Sequence, residues 1–166
     1  MKIRNLIIGF GILASIMAVN PSFAQAPQMI GGPGIAVSGS ANQAQLPQKA
    51  KSFIDKHFKG VDVRSIEKNF IKGSYDVDLS NGVEIEFDSA GNVKEIDAAK
   101  NSVLSATLVK DVMHSKAYKH LEKAGMAGKV ESIEFNKKKV CSVELKVPEP
   151  DTYLYDVNGV FIAIVD

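Results

Sequence analysis

Tryptophan is absent from this chain, and cysteine occurs once, at Cys141. A single cysteine excludes an internal disulfide, so a chain of 166 residues must be held together by packing. An excess of either charge is lacking too: 20 Lys and Arg face 19 Asp and Glu. That balance removes the electrostatic ground for expecting nucleic acid or an anionic membrane as partner. Catalytic signatures are also missing. No Gly-x-Ser-x-Gly, no phosphate-cradling glycine loop ahead of a helix and no His-Glu-x-x-His occurs. The three histidines, His57, His114 and His120, share no ligand spacing and read as boundary residues. No enzyme, metal centre or cofactor is expected.

The one long apolar run lies at the start. Lys2 and Arg4 precede Leu6 to Val19, a stretch short for a bilayer span and interrupted by Gly9 and Gly11. Asn20-Pro21 follows, and Ser22-Phe23-Ala24 offers small residues where signal peptidase reads them, so residues 1–24 are expected to be a cleaved signal. A retained anchor is the alternative. Cleavage removes Lys2 and Arg4, leaves 18 basic against 19 acidic residues, and implies a periplasmic or secreted protein with no further membrane segment. Residues 25–45, rich in Gln, Ala, Gly, Ser and Pro, read as a flexible leader or tether.

What is present is a repeat. Ser65-Ile66-Glu67, Tyr75 to Leu79 and Asp88-Ser89-Ala90-Gly91 return as Ser132-Ile133-Glu134, Cys141 to Leu145 and Asp156-Val157-Asn158-Gly159. Measured from Ile66 and Ile133, the Asp-x-x-Gly turns begin 22 and 23 residues later. Such a recurrence predicts a duplicated supersecondary unit. The first unit, 46–97, reads as a helix after Leu46-Pro47 ending at Gly60, then strands at 63–70, 74–79, 83–87 and 92–97. Residues 98–112 link the halves and start a second helix, expected to run unbroken over 104–124 on the stripe Leu104, Leu108, Val112, Met113, Ala117, Leu121 and Ala124. The second unit, 113–166, then adds strands at 130–135, 140–147, 153–157 and 160–165. The fold class is α+β: a helix and a four-stranded antiparallel sheet, twice.

The first central hairpin fixes its own register. A two-residue turn at Asn81-Gly82 would set Leu79 against Glu84 and mix apolar with acidic groups on one face. A three-residue loop of Ser80, Asn81 and Gly82, with Gly82 at positive φ, sets Val77 against Ile85 and Tyr75 against Phe87. In the second hairpin Cys141 takes the place of Tyr75, as a buried, inert thiol.

That register opposes Asp78 to Glu84 and Asp76 to Glu86 on the outer face, and directly opposed like charges oppose folding. Two readings stay open. Arg64, Lys68 or Lys94 neutralises the stack, or the stack receives a basic partner or a divalent cation. A built metal site is disfavoured, because hard cations need oxygens converging from loops rather than straight strands. Asp76, Asp78, Glu84 and Glu86, with Ser80 and Asn81 at the hairpin tip, are the candidate binding residues. The second-half equivalents, Ser142, Glu144, Thr152 and Leu154, keep one carboxylate. The Asp-x-x-Gly segments read as turns. Asn136-Lys137-Lys138-Lys139 is a short basic run expected in a turn and reads as a solvated loop.

Leu46-Pro47, Phe53-Ile54, Ile66-Glu67, Tyr75 to Leu79, Asn81-Gly82, Glu84-Ile85, Phe87-Asp88 and Gly91 together resemble the PepSY-like, β-lactamase-inhibitor-like family of exported Bacteroidetes proteins. The resemblance covers 46–97 well and 113–166 loosely. It implies tandem helix-plus-sheet units shaped like the β-lactamase inhibitor proteins and, by analogy alone, a hydrolase as partner. No inhibitor contact residue carries over. The reading is a non-catalytic binding module that offers an open sheet to a protein or peptide; the alternative is a ligand or cation sensor using the acidic hairpin face.

Overall fold

A computed structural model describes residues 42–149 and 151–165; the expected signal and residues 25–41 of the leader lie outside them. Helix α1 (Gln48–His57) precedes strands β1 (Val63–Asn69), β2 (Ser74–Leu79), β3 (Glu84–Phe87) and β4 (Val93–Asp97). Helices α2 (Ala106–Val112) and α3 (Ser115–Lys123) follow, then β5 (Val130–Phe135), β6 (Cys141–Leu145), β7 (Thr152–Tyr155) and β8 (Phe161–Val165). All eight strands form one antiparallel sheet in chain order, β1 through β8. The sheet is continuous because β4 pairs with β5, setting Ile96 opposite Ile133.

Alternation builds the core. Ile66, Val77, Ile85, Ile96, Ile133 and Val143 are successive cross-strand partners, all buried and all on one face. The helices supply the opposing layer through Ala50 and Ile54 of α1, Leu108 and Val109 of α2, and Ala117 and Leu121 of α3. The first hairpin adopts the three-residue loop. The Leu79 N–H donates to the Val83 carbonyl at 2.9 Å, and Gly82 takes φ 86°. Val77 faces Ile85 and Tyr75 faces Phe87.

The two halves share local irregularities. β1 and β5 shift register before Ser65 and Ser132, and the β3–β4 and β7–β8 ladders shift beside Phe87 and Tyr155. Asp88 Oδ1 accepts the N–H groups of Ala90 and Asn92, and Asp156 Oδ1 accepts those of Asn158 and Val160. Both segments are turns, as their spacing suggests.

Two expectations need correction. The expected helix over 104–124 is two helices. Met113 and His114 adopt extended ψ of 156° and 138°, and His114 Nδ1 accepts the Lys116 N–H to start α3. A straight helix of that length would run about 30 Å, whereas a five-residue strand spans only about 17 Å. The break lets both halves of the apolar stripe fold back over the sheet. The leader expected to reach residue 45 is ordered from its last residues: Gln43–Gln45 form a 3-10 turn, and buried Leu46 fixes the chain behind it. Asn136-Lys137-Lys138-Lys139 is an exposed turn, as expected, and specifically a third Asx turn. Asn136 Oδ1 accepts from Lys138 and Val140, and Lys139 takes the left-handed φ of 61° that glycine takes in the other two.

The buried thiol is as expected. Cys141 is a free cysteine in the core, and burial pushes its pKa up to about 12, so it carries no reactive thiolate near neutral pH.

Candidate functional site

With one sheet face under the helices, the other presents every alternate residue outward. Asp78 pairs with Glu84, and Asp76 with Glu86, so the four carboxylates do come together. They are part of something larger. Glu67, Asp76, Glu86, Glu95 and Glu134 are successive partners across β1 to β5. One step along the strands, Ser65, Asp78, Glu84, Asp97, Ser132 and Glu144 form a second row across β1 to β6. Two lines of carboxylates therefore cross the open face side by side.

Few cations meet them, though Lys72, from the turn after β1, acts on Asp76 and Glu86 and works to lower both pKa values. Lys94 is the extra residue where the β3–β4 register shifts, and its Nζ lies 2.5 Å from Glu86 Oε1. Arg64 falls in the register shift between Val63 and Ser65 and is exposed. Lys68 is not on this face. It pairs with Tyr75 on the helix side, with Nζ 5.3 Å from the Tyr75 ring centroid and 5.2 Å from that of Phe70. Its expected role in neutralising the stack is corrected accordingly: Lys68 has the parity of Ile66, not of Glu67. Ser65 Oγ donates to the Asp78 carboxylate.

Ionisation reflects the crowding. Burial, then Glu86 and Glu67, raise the pKa of Asp76; burial, then Asp78 and Asp97, raise that of Glu84. Glu95 is pushed furthest, to about 7, by burial and by Asp97, Glu134 and Glu86. Burial acts the same way on Glu86 and is the largest single influence, but Lys94, Ser74 and Lys72 together outweigh it and hold this carboxyl below its ordinary value.

A stability test follows. In the unfolded chain Glu95 titrates near its ordinary 4.5, so above about 7 it is ionised in both states and the fold carries the whole penalty. The penalty fades as pH falls from about 7 to about 4.5 and is absent below that. Glu95→Gln should therefore raise stability at pH 8 by about 1 kcal/mol, allowing for solvent screening of a half-buried group. At pH 4 the gain should vanish, as melting curves at the two pH values will read.

Ser80 and Asn81 are engaged in the turn itself. Ser80 Oγ accepts the Asp62 N–H at 3.1 Å, and Asn81 Oδ1 accepts the Val83 N–H at 3.2 Å. Glu67, Glu95, Asp97 and Glu134 escaped notice in the sequence. Ser-Ile-Glu at 65–67 and 132–134 carried part of the signal, because an inward Ile forces the following Glu outward. Among the described residues no group of three or more His, Cys, Asp or Glu side chains is placed to hold a metal ion.

A family model described as "Putative beta-lactamase-inhibitor-like, PepSY-like" matches residues 73–163, more than half of the chain. The chain belongs to the PepSY-like family. Solved structures agree. A "putative periplasmic protein of unknown function" from Bacteroides vulgatus is 32% identical, with a TM-score of 0.59 over 75% of this chain and 95% of that one. A second protein from the same organism, also described as putatively periplasmic, is 27% identical, with a TM-score of 0.59 over 74% and 92%. A "putative calcium-regulated periplasmic protein" from Bacteroides thetaiotaomicron is 29% identical, with the same TM-score over 74% and 92%. A comparison with curated proteins returned no match. Among the described residues no helix is long and apolar enough to cross a membrane.

Proposed function

We propose that this PepSY-like protein is an exported, non-catalytic binding module whose open sheet face receives a cationic segment of a protein or peptide partner. The observation behind this reading is the row Glu67, Asp76, Glu86, Glu95 and Glu134 on five adjacent strands. Each like-charged cross-strand pair opposes folding by a few tenths of a kcal/mol or more. A lysine- or arginine-rich segment laid across the row would relieve that repulsion, so part of the cost carried by the free protein returns as binding free energy. Export rests on the n-region, apolar run and Ser22-Phe23-Ala24 of the first 24 residues, and on the periplasmic description of the relatives.

In the same reading the sheet arose by duplication of a helix-plus-four-strand unit, with the paired register shifts and the Asp88 and Asp156 turns as support. Only the first copy kept a dense acidic face. Occlusion of a partner's cleft, in the manner of an inhibitor, fits this shape and rests on the family likeness alone. The test is capture from periplasmic extract on the immobilised chain, set beside the variant Asp76→Asn, Glu86→Gln, Glu95→Gln, Glu134→Gln. A partner retained at least about tenfold less well by the variant, and released by salt, supports the acidic face. A partner held equally by both would end this reading.

A second reading, regulation by calcium, is favoured by the description of the Bacteroides thetaiotaomicron relative. Calcium would act on the same carboxylates by drawing neighbouring rows together. It predicts that calcium raises the melting temperature and that Asp76→Asn with Glu86→Gln abolishes the rise.

A further inference from the structure

In a sheet whose strands run in chain order, alternate turns gather at one end. That end carries Phe70-Ile71-Lys72-Gly73, Asp88 to Gly91, Asn136 to Lys139 and Asp156 to Gly159. Phe70 is 80% exposed and Ile71 90%, at the tip of the β1–β2 hairpin, and Val157 on the β7–β8 turn is 60% exposed. Large apolar groups this exposed on a hairpin turn are unusual, and the same end of the sheet carries lysines, Lys72 beside Phe70 and Ile71 and three more on the β5–β6 turn. The four turns hold Lys72, Lys137, Lys138 and Lys139 against Asp88 and Asp156; Lys72 also faces Asp76 and Glu86 and Lys139 faces Asp88, so Lys137 and Lys138 are the lysines that carry the argument.

The balanced charge of the whole chain gives no ground for an anionic membrane, but this end is locally basic. We propose that it docks on an anionic lipid surface, with Phe70 and Ile71 entering the interface and the lysines resting on the headgroups. The chemistry favours a bilayer over a protein pocket. Val157 borders a cleft with Lys139, Phe53 and Phe135, but Phe70 and Ile71 stand at a hairpin tip. The exposed apolar residues are strung along one edge rather than gathered into a patch, while long lysine side chains suit a plane of diffuse negative charge. The carboxylate rows decide the orientation. Lying flat would press them against lipid phosphates, so contact must be end-on, which leaves the acidic face free for its own partner.

The chain's lack of tryptophan supplies the reporter. In full-length Phe70→Trp the only indole sits at the tip. Vesicles of phosphatidylcholine with one third phosphatidylglycerol should shift its emission to the blue, and vesicles of phosphatidylcholine alone should not. Cosedimentation with the anionic vesicles should fall at least about tenfold in Phe70→Ser, Ile71→Ser relative to the parent chain. It should also fall severalfold in Lys137→Ser, Lys138→Ser. The N-terminal apolar run is common to all these chains, so the differences read the tip. Unchanged melting temperatures would confirm folding, since every substituted side chain is exposed. Solvent-like indole emission with anionic vesicles, or equal cosedimentation of parent and Phe70→Ser, Ile71→Ser, would overturn the proposal. The first of these results would leave the tip to a protein pocket.

Discussion

Ile96→Ala is expected to destabilise the protein by about 3 kcal/mol and to lower its melting temperature by about 10 °C, in a single transition. Ile96 is fully buried on β4 and pairs with fully buried Ile133 on β5. This is the seam between the two halves of the sheet. Truncation removes about three methylene-sized groups and leaves a cavity lined by both halves, which the surrounding strands can only partly close. Because the seam is a hydrogen-bonded ladder with a shared core, the loss is felt on either side. Ile164→Ala on β8 provides the contrast. Ile164 is 42% exposed, and its truncation should cost less than about 1 kcal/mol. A biphasic melt of Ile96→Ala, with one half surviving, would mean that the halves fold as separate sheets.

Gly91→Ala should cost about 2–5 kcal/mol, from two sources that can be separated. At φ 82° an alanine is strained by about 1–2 kcal/mol before it touches anything. Its Cβ would also stand 2.8 Å from the Ala50 backbone nitrogen and 3.0 Å from Pro47 Cβ, where α1 begins against the β3–β4 turn. Backbone cannot rotate away as a side chain can, so α1 must shift, adding an overpacking cost of about 1–3 kcal/mol. Gly125→Ala isolates the first source: φ is 70°, with nothing within 4 Å of the added Cβ. Denaturant melts should therefore rank Gly91→Ala well below Gly125→Ala, with Gly125→Ala about 1 kcal/mol below the parent. Equal losses would mean that α1 does not rest on the turn as described.

Wherever one residue's alternation settles two faces at once, the fold was legible in the sequence. The β2–β3 register followed from keeping Val77 and Ile85 together, and Asp76 against Glu86 came with it. The Asp88 and Asp156 turns were legible because Asx chemistry is local. What stayed hidden depended on distant partners. Nothing near Glu95 or Glu134 announces that β4 lies beside β5, so the longer carboxylate row was out of reach of hairpin reasoning. The break at Met113 and His114 was hidden for another reason. The apolar stripe keeps its spacing through the break, and the spacing of residues does not record the length of the sheet they must cover. Lys139 was hidden because tertiary pairing of β5 with β6 imposes a left-handed conformation that lysine disfavours.

The acidic open face is best tested by locating contact residue by residue. Backbone amide NMR shifts, followed while a lysine-rich peptide is titrated in, report which side of the sheet it meets. The account predicts shifts concentrated at Glu67, Asp76, Glu86, Glu95 and Glu134, reduced by salt and lost in the four-carboxylate variant. Shifts centred on α1, α2 and α3, or unchanged in that variant, would contradict it.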